Sequence, residues 1–142
     1  HWEYLRPIQE TLTIPVVANG EIWTKEDFDI CKKVSGCSHF MVGRGAIARP
    51  SLGLEIQALL TEKHHWHQIP SLLVAYHRLL GAMNNPTRQA GRIKQWIKLL
   101  GRTYPEAIDL FVSIRRLTDL KIILKEISTT AEQISMSKKV AL

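Results

Sequence analysis

The chain has 142 residues, of which 45% are hydrophobic and 23% charged, and its formal net charge is +6. That length suits one ordinary domain and excludes a complete (β/α)8 barrel, which needs roughly 250 residues. No apolar run reaches the roughly 18 residues of a membrane span, which argues against a membrane protein.

The chain opens at His1-Trp2 rather than at a methionine, so it reads as a cut piece. Nothing at its start has the pattern of a secretion signal. Residues 3–12 read as the end of a helix and its exit loop. Ile14 to Ala18 is a short, valine-rich apolar run. It is too short for a helix and suits a strand buried on both faces, ended by Asn19-Gly20. Thr24 is placed to cap the next helix, with Asp27 completing a capping box. That helix runs to about Ser35, and Gly36 is its natural stop. His39 to Val42 reads as a second strand. Gly43-Arg44-Gly45, a short helical turn and Pro50 follow, and Ser51 is placed to cap a helix over Leu52 to Leu60. Cys31 and Cys37 lie either side of the helix-to-strand junction, with no further cysteines to complete a zinc site. They read as reduced thiols of a cytosolic protein, Cys31 in helix packing and Cys37 at the start of a strand.

The pattern changes near residue 61. Residues 61–70 are polar and histidine-rich and read as a linker between a domain at 1–60 and an all-helical domain at 71–142. Ser71 caps a helix carrying Leu72, Leu73, Tyr76, Leu79 and Leu80, and Asn84-Asn85-Pro86 breaks it. Thr87 is placed to cap a second helix with Ile93, Trp96, Ile97 and Leu100 on one face. A third starts near Pro105 with Ala107, Ile108, Phe111, Val112 and Ile114 inside. A fourth runs from Thr118 to about Ile127, with Leu120, Ile123, Leu124 and Ile127 inside. Four amphipathic helices with short connections point to an antiparallel bundle. The polar tail after Ser128 is expected to fray. His64-His65-x-His67 offers imidazoles without matching carboxylates or thiols, so it reads as linker rather than as a metal site. Trp66 is expected to pack the two parts together.

The first sixty residues hold six Lys and Arg against seven Asp and Glu, a net of −1; the remainder hold thirteen against six, a net of +7. The excess of positive charge thus belongs to the helical part. It suits either a nucleic-acid surface or a basic face kept for solubility.

Two successive buried strands, each ending in a glycine turn that opens a helix, resemble the last quarter of a (β/α)8 barrel, where late loops build a phosphate site. Gly20, Gly43 and Gly45 let the backbone come close to a ligand. The helix start after Gly43-Arg44-Gly45 offers free amides, and Arg44 a charge-assisted contact. Asn19 can fix the loop or donate directly. Taken singly, either glycine pattern is most often just a turn.

The segment IPVVANGEIW…GCSHFMVGRGAIARP, with GRIKQWIKLL further on, resembles the C-terminal part of bacterial tRNA-dihydrouridine synthases, most of all the C-type. The resemblance covers nearly the whole chain and weakens after about residue 128. It implies an FMN-dependent, NADPH-consuming enzyme that reduces the C5=C6 bond of a D-loop uridine in tRNA, uridine 16 for the C-type. It implies that Asn19, Gly20 and Glu21 form one FMN contact segment, with Gly43 and Arg44 forming the other at the phosphate. Glu21 is expected to act through its backbone, because a carboxylate would repel a phosphate. The acid cysteine of the family is expected upstream of this chain, so no catalytic residue is assigned here.

On the second basic helix Lys94 and Lys98 fall on one stripe with Gly91 and Arg102, while Arg88 and Arg92 form an adjacent stripe. Arg115-Arg116 closes the third helix. Such rows suit an RNA backbone, and equally suit solvated charge near helix ends. The resemblance favours tRNA for Arg92, Lys94 and Arg115. Two readings of other classes stay open: a non-catalytic RNA-binding helical module, and the end of another FMN- or phosphate-binding barrel oxidoreductase. Two isolated barrel strands expose edges, so residues 1–60 are expected to be partly disordered, rearranged or paired with a second copy.

Overall fold

The computed structural model describes residues 1–61, 63–81 and 85–140. The backbone falls into two compact units, His1–Lys63 and His64–Leu142. The first alternates helix and strand; the second is helical.

In the first unit a short 3-10 turn, Trp2–Tyr4, leads into α1 (Leu5–Thr11). Strand β1 is Val17–Asn19, α2 is Lys25–Ser35 and β2 is His39–Met41. The strands pair in parallel, with Val17 opposite His39, Ala18 opposite Phe40 and Asn19 opposite Met41. A parallel pair needs a long crossover, and α2 supplies it. This order appears without rearrangement. Burial corrects one expectation: Ala18 is fully buried, but Val17 is 52% exposed. Burial on both faces needs neighbouring strands and helices on either side, and the described sheet has two strands.

The caps of α2 follow the local chemistry. The Asp27 backbone N–H donates to Thr24 Oγ1 at 3.1 Å, and the Thr24 backbone N–H donates to the Asp27 carboxylate at 2.9 Å. Gly36 stops the helix at φ 72°, in the left-handed region open to glycine. Arg6 then seals that end, its guanidinium donating to the carbonyls of Lys33 at 2.6 Å and Val34 at 3.0 Å. A cluster of Ala18, Ile22, Cys31 and Cys37 forms the local core, with Phe28 edge-on to Phe40 at 4.7 Å.

After β2 come two short helices, α3 (Arg44–Ala48) and α4 (Leu52–Ile56). The predicted helix to Leu60 ends early, with Ala58 at φ 56°. Ser51 does not cap α4 through its side chain. Its hydroxyl instead donates to Glu55 at 2.7 Å, and Arg49 grips the same carboxylate with Nε at 2.9 Å and a second nitrogen. Glu55 is only 4% exposed, so this is a buried, two-pronged ion pair. A second packing constraint lies at Gly45. A Cβ there would collide with the Ile22 carbonyl oxygen and come within 3.3 Å of the Leu52 side chain.

The second unit begins with a 3-10 turn, Trp66–Gln68, and α5 (Ile69–Leu80). The turn lies wholly, and α5 by its first two residues, inside the stretch expected to be linker, so the helix starts ahead of Ser71, which does not cap it, and Ile69 and Pro70 are buried. Then come α6 (Pro86–Leu100), α7 (Pro105–Ile114) and α8 (Leu120–Val140). Asn84 of the predicted break lies outside the described residues; Asn85, not Thr87, caps α6, accepting from the Arg88 N–H at 2.9 Å. The four helices share one core, with Leu73, Ile93, Ile97, Leu100, Ile114, Ile123 and Ile127 at its centre. Trp66 belongs to this core, near Tyr104. Leu79, Ile108 and Val112, expected inside, are exposed, and Leu110 is buried in their place. As far as Val140 the tail expected to fray instead continues α8, in keeping with the absence of Gly and Pro beyond Pro105, and its last two residues lie outside the described ones. Among the described residues no helix is long and apolar enough to cross a membrane.

Two outcomes follow from the packing. Gly45→Ala should destabilise the chain by about 1–3 kcal/mol, because backbone must move to admit one methyl. Glu55→Ala should cost about 3 kcal/mol, since it removes the carboxylate from a largely buried guanidinium. Urea unfolding followed by circular dichroism measures both, and near-neutral values would contradict the packing described.

Candidate functional site

Because β1 and β2 run in parallel and in register, Asn19 and Met41 end them side by side. Both chains therefore turn at the same end of the sheet. The first turn is Gly20-Glu21, with two consecutive positive φ angles, 100° and 54°. Glycine meets that demand freely; Glu21 does not, and left-handed backbone costs a non-glycine residue about 1–2 kcal/mol. The Trp2 indole N–H ties the turn down by donating to the Gly20 carbonyl at 2.9 Å. The second turn passes through Gly43 into α3.

The two turns line one cleft of about 250 Å³, walled by Asn19, Gly20, Glu21, Ile22, Trp23, Met41, Gly43, Arg44 and Gly45. All five residues singled out for this site in the sequence thus come together. Around Gly20 and Gly43, apart from the adjoining residues, no heavy atom lies within 4 Å of where a Cβ would be, so the backbone there is open to a ligand. Gly45 does different work: it lets the second turn press against the Ile22 carbonyl of the first. Helix α3 has five residues, so little dipole supports an anion and the charge must come from side chains.

That charge is Arg44, and it is engaged. Its guanidinium donates to Glu21 Oε1 at 3.1 Å, while Glu21 Oε2 accepts from the Trp23 indole N–H at 2.8 Å. The guanidinium carbon stands 5.4 Å from the Trp23 ring centroid, within cation–π range. Two features escape sequence reading here. Glu21 contributes its carboxylate, not only its backbone, and Trp23 is the platform under Arg44. The sole hint is Trp23 two residues beyond Glu21; nothing in the sequence shows that residue 44 returns to residue 21.

Cys31 and Cys37 sit in the core, 0% and 2% exposed. Burial pushes the Cys31 thiol up, and a hydrogen bond with Ser35 offsets part of that rise. Neither lines the cleft. Among the described residues no group of three or more His, Cys, Asp and Glu could hold a metal. His65 instead caps the 3-10 turn, its backbone N–H donating to Gln68 at 2.8 Å.

In the second unit, α6 carries Arg88 and Lys98 on the side away from buried Ile93, Ile97 and Leu100, with Arg92 and Lys94 on its two flanks. Arg88, Arg92 and Lys98 are exposed, and so is Arg115 at the end of α7. Lys94 is half-buried. Its ammonium donates to the Leu117 carbonyl at 2.9 Å and reaches the Arg115 carbonyl at 3.4 Å. Lys94 therefore fastens α6 to the segment that follows α7 and brings residues 94 and 115 together.

Residues 1–139 match the family described as Dihydrouridine synthase (Dus). The chain is 42% identical over 123 residues to the tRNA-dihydrouridine(16) synthase of Pseudomonas putida, covering 84% of this chain and 38% of that protein. It is 40% identical over 115 residues to the tRNA-dihydrouridine(16) synthase of Shewanella oneidensis, covering 81% and 36%. To the enzyme of that name from Vibrio vulnificus it is 34% identical over 140 residues, covering 96% and 43%. The chain thus spans about two fifths of the length of the curated relatives it matches. With a matched region running through both units, the chain belongs to the dihydrouridine synthase family.

Proposed function

We propose that His1–Lys63 is the closing βα part of an FMN-binding (β/α)8 barrel and that His64–Leu142 is an antiparallel helical tRNA-binding domain. Together they form the C-terminal portion of a tRNA-dihydrouridine synthase acting on uridine 16. The observation that carries this reading is the convergence of both glycine turns and Arg44 on one cleft at one end of a parallel strand pair. Late-strand loops of such barrels are where phosphate groups sit.

The residues present fit the phosphate end of a flavin nucleotide. Gly20 and Gly43 leave the backbone open, Arg44 supplies positive charge, and Asn19 supplies an amide at the strand end. A volume of about 250 Å³ falls below the ~300–1,000 Å³ of ordinary ligand pockets. It suits a phosphate and its ester link, not a whole flavin. Bound there, FMN supplies hydride chemistry for the uridine C5=C6 bond, with NADPH as reductant. Neither cysteine is placed to protonate a substrate, since both are enclosed in the core. Binding and orientation are what this chain contributes. Self-association through the open edges of β1 and β2 belongs to the same proposal.

For RNA, Arg88, Arg92, Lys98 and Arg115 present exposed cations, and Lys94 joins α6 to the Arg115 end of α7. Such contacts neutralise phosphates and position the RNA rather than read its sequence.

The 142-residue chain should shift tRNA in a gel more strongly than a duplex of equal length, and the preference should weaken as salt rises. Arg92→Ala with Lys94→Ala should remove the preference and lower the salt slope by about one to two. Equal shifts of tRNA and duplex by the unaltered chain would defeat the tRNA assignment. Incubated with tRNA, FMN and NADPH, this chain alone should form no dihydrouridine; mass spectrometry of the recovered tRNA checks this, and product would contradict the reading of Cys31 and Cys37.

A further inference from the structure

Arg44 does not wait in the cleft as an uncommitted cation. It meets Glu21 through one nitrogen and lies over the indole of Trp23, which itself donates to the other Glu21 oxygen. Three side chains thus close a ring at the mouth of the site. Two observations make this ring exchangeable rather than structural. The side chains of Arg44 and Glu21 are 66% and 67% exposed, and ion pairs so exposed stabilise weakly. The carboxylate is also held on left-handed backbone that resists a non-glycine residue.

We propose that Glu21 is an internal stand-in for the phosphate of the ligand. Its carboxylate occupies Arg44 and keeps the guanidinium over Trp23, and an incoming phosphate monoester takes Arg44 over and releases Glu21. A guanidinium donates two parallel N–H bonds to a phosphate, a better fit than its present single contact with Glu21. Glu21 is then a positioning residue that lowers phosphate affinity while keeping Arg44 oriented. The inference rests on the reading of the cleft as a phosphate site.

The test uses the 142-residue chain, inorganic phosphate as probe, and nuclear magnetic resonance at constant ionic strength. The Trp23 indole N–H, assigned by its loss in Trp23→Phe, reports the Glu21 contact; the amides of Gly43 and Gly45 report occupancy. Phosphate should move both sets of signals in the unaltered chain, and Arg44→Ala should abolish both responses. Glu21→Gln should bind phosphate about two- to fivefold more tightly, the range expected for releasing an exposed ion pair. Glu21→Asn, a residue at ease in left-handed backbone, should act in the same direction. Binding that depends on Arg44 but is equal or weaker in both Glu21 variants would overturn the inference and leave the phosphate site standing. So would occupancy seen at Gly43 and Gly45 with a fixed Trp23 signal. Absence of Arg44-dependent binding in every variant would overturn the phosphate site and the inference together.

Discussion

At position 45 the chain has no room for a side chain. Gly45 lies so close to the Ile22 carbonyl that even a methyl group would displace backbone. That contact locks the loop after β1 against the start of α3. Parallel pairing brings the two turns to the same end of the sheet; the Gly45 contact sets how closely they meet. The cleft, the reach of Arg44 to Glu21 and the seat of Trp23 under the guanidinium all follow from that approach.

The glycines around the cleft thus divide their work by physical role. Gly20 supplies a backbone angle. Gly43 leaves open space. Gly45 allows backbone to meet backbone. A sequence pattern of glycine, arginine, glycine looks uniform, yet each glycine answers a different steric demand.

Charge is deployed in two ways along the chain. Arg49 and Glu55 form a buried pair joined by Ser51, a contact that holds structure. Arg44 and Glu21 form an exposed one, a contact that can be exchanged. Burial separates the two: a desolvated pair is costly to break from one side, whereas an exposed pair is paid for mainly in side-chain ordering. In the second unit Lys94 shows a third use, fastening the segment after α7 through the Arg115 and Leu117 carbonyls while neighbouring cations face solvent.

Local chemistry was enough to read several of the elements. Thr24 with Asp27 and Gly36 bound α2, the Val-rich run and the residues around Phe40 mark the strands, and Asn85-Pro86 breaks the chain before α6, because caps and breakers act over three or four residues. Five of the nine residues that line the cleft were legible too, since each turn carries its own glycine. What the sequence left open is everything decided by partners distant along the chain: Arg6 sealing α2, Arg49 on Glu55 across a turn, Lys94 on Leu117, and the carboxylate of Glu21 on Arg44. Burial of individual positions was likewise set late, with Val17, Leu79 and Ile108 exposed. Periodicity names an apolar face, but only neighbouring elements decide which of its members are covered.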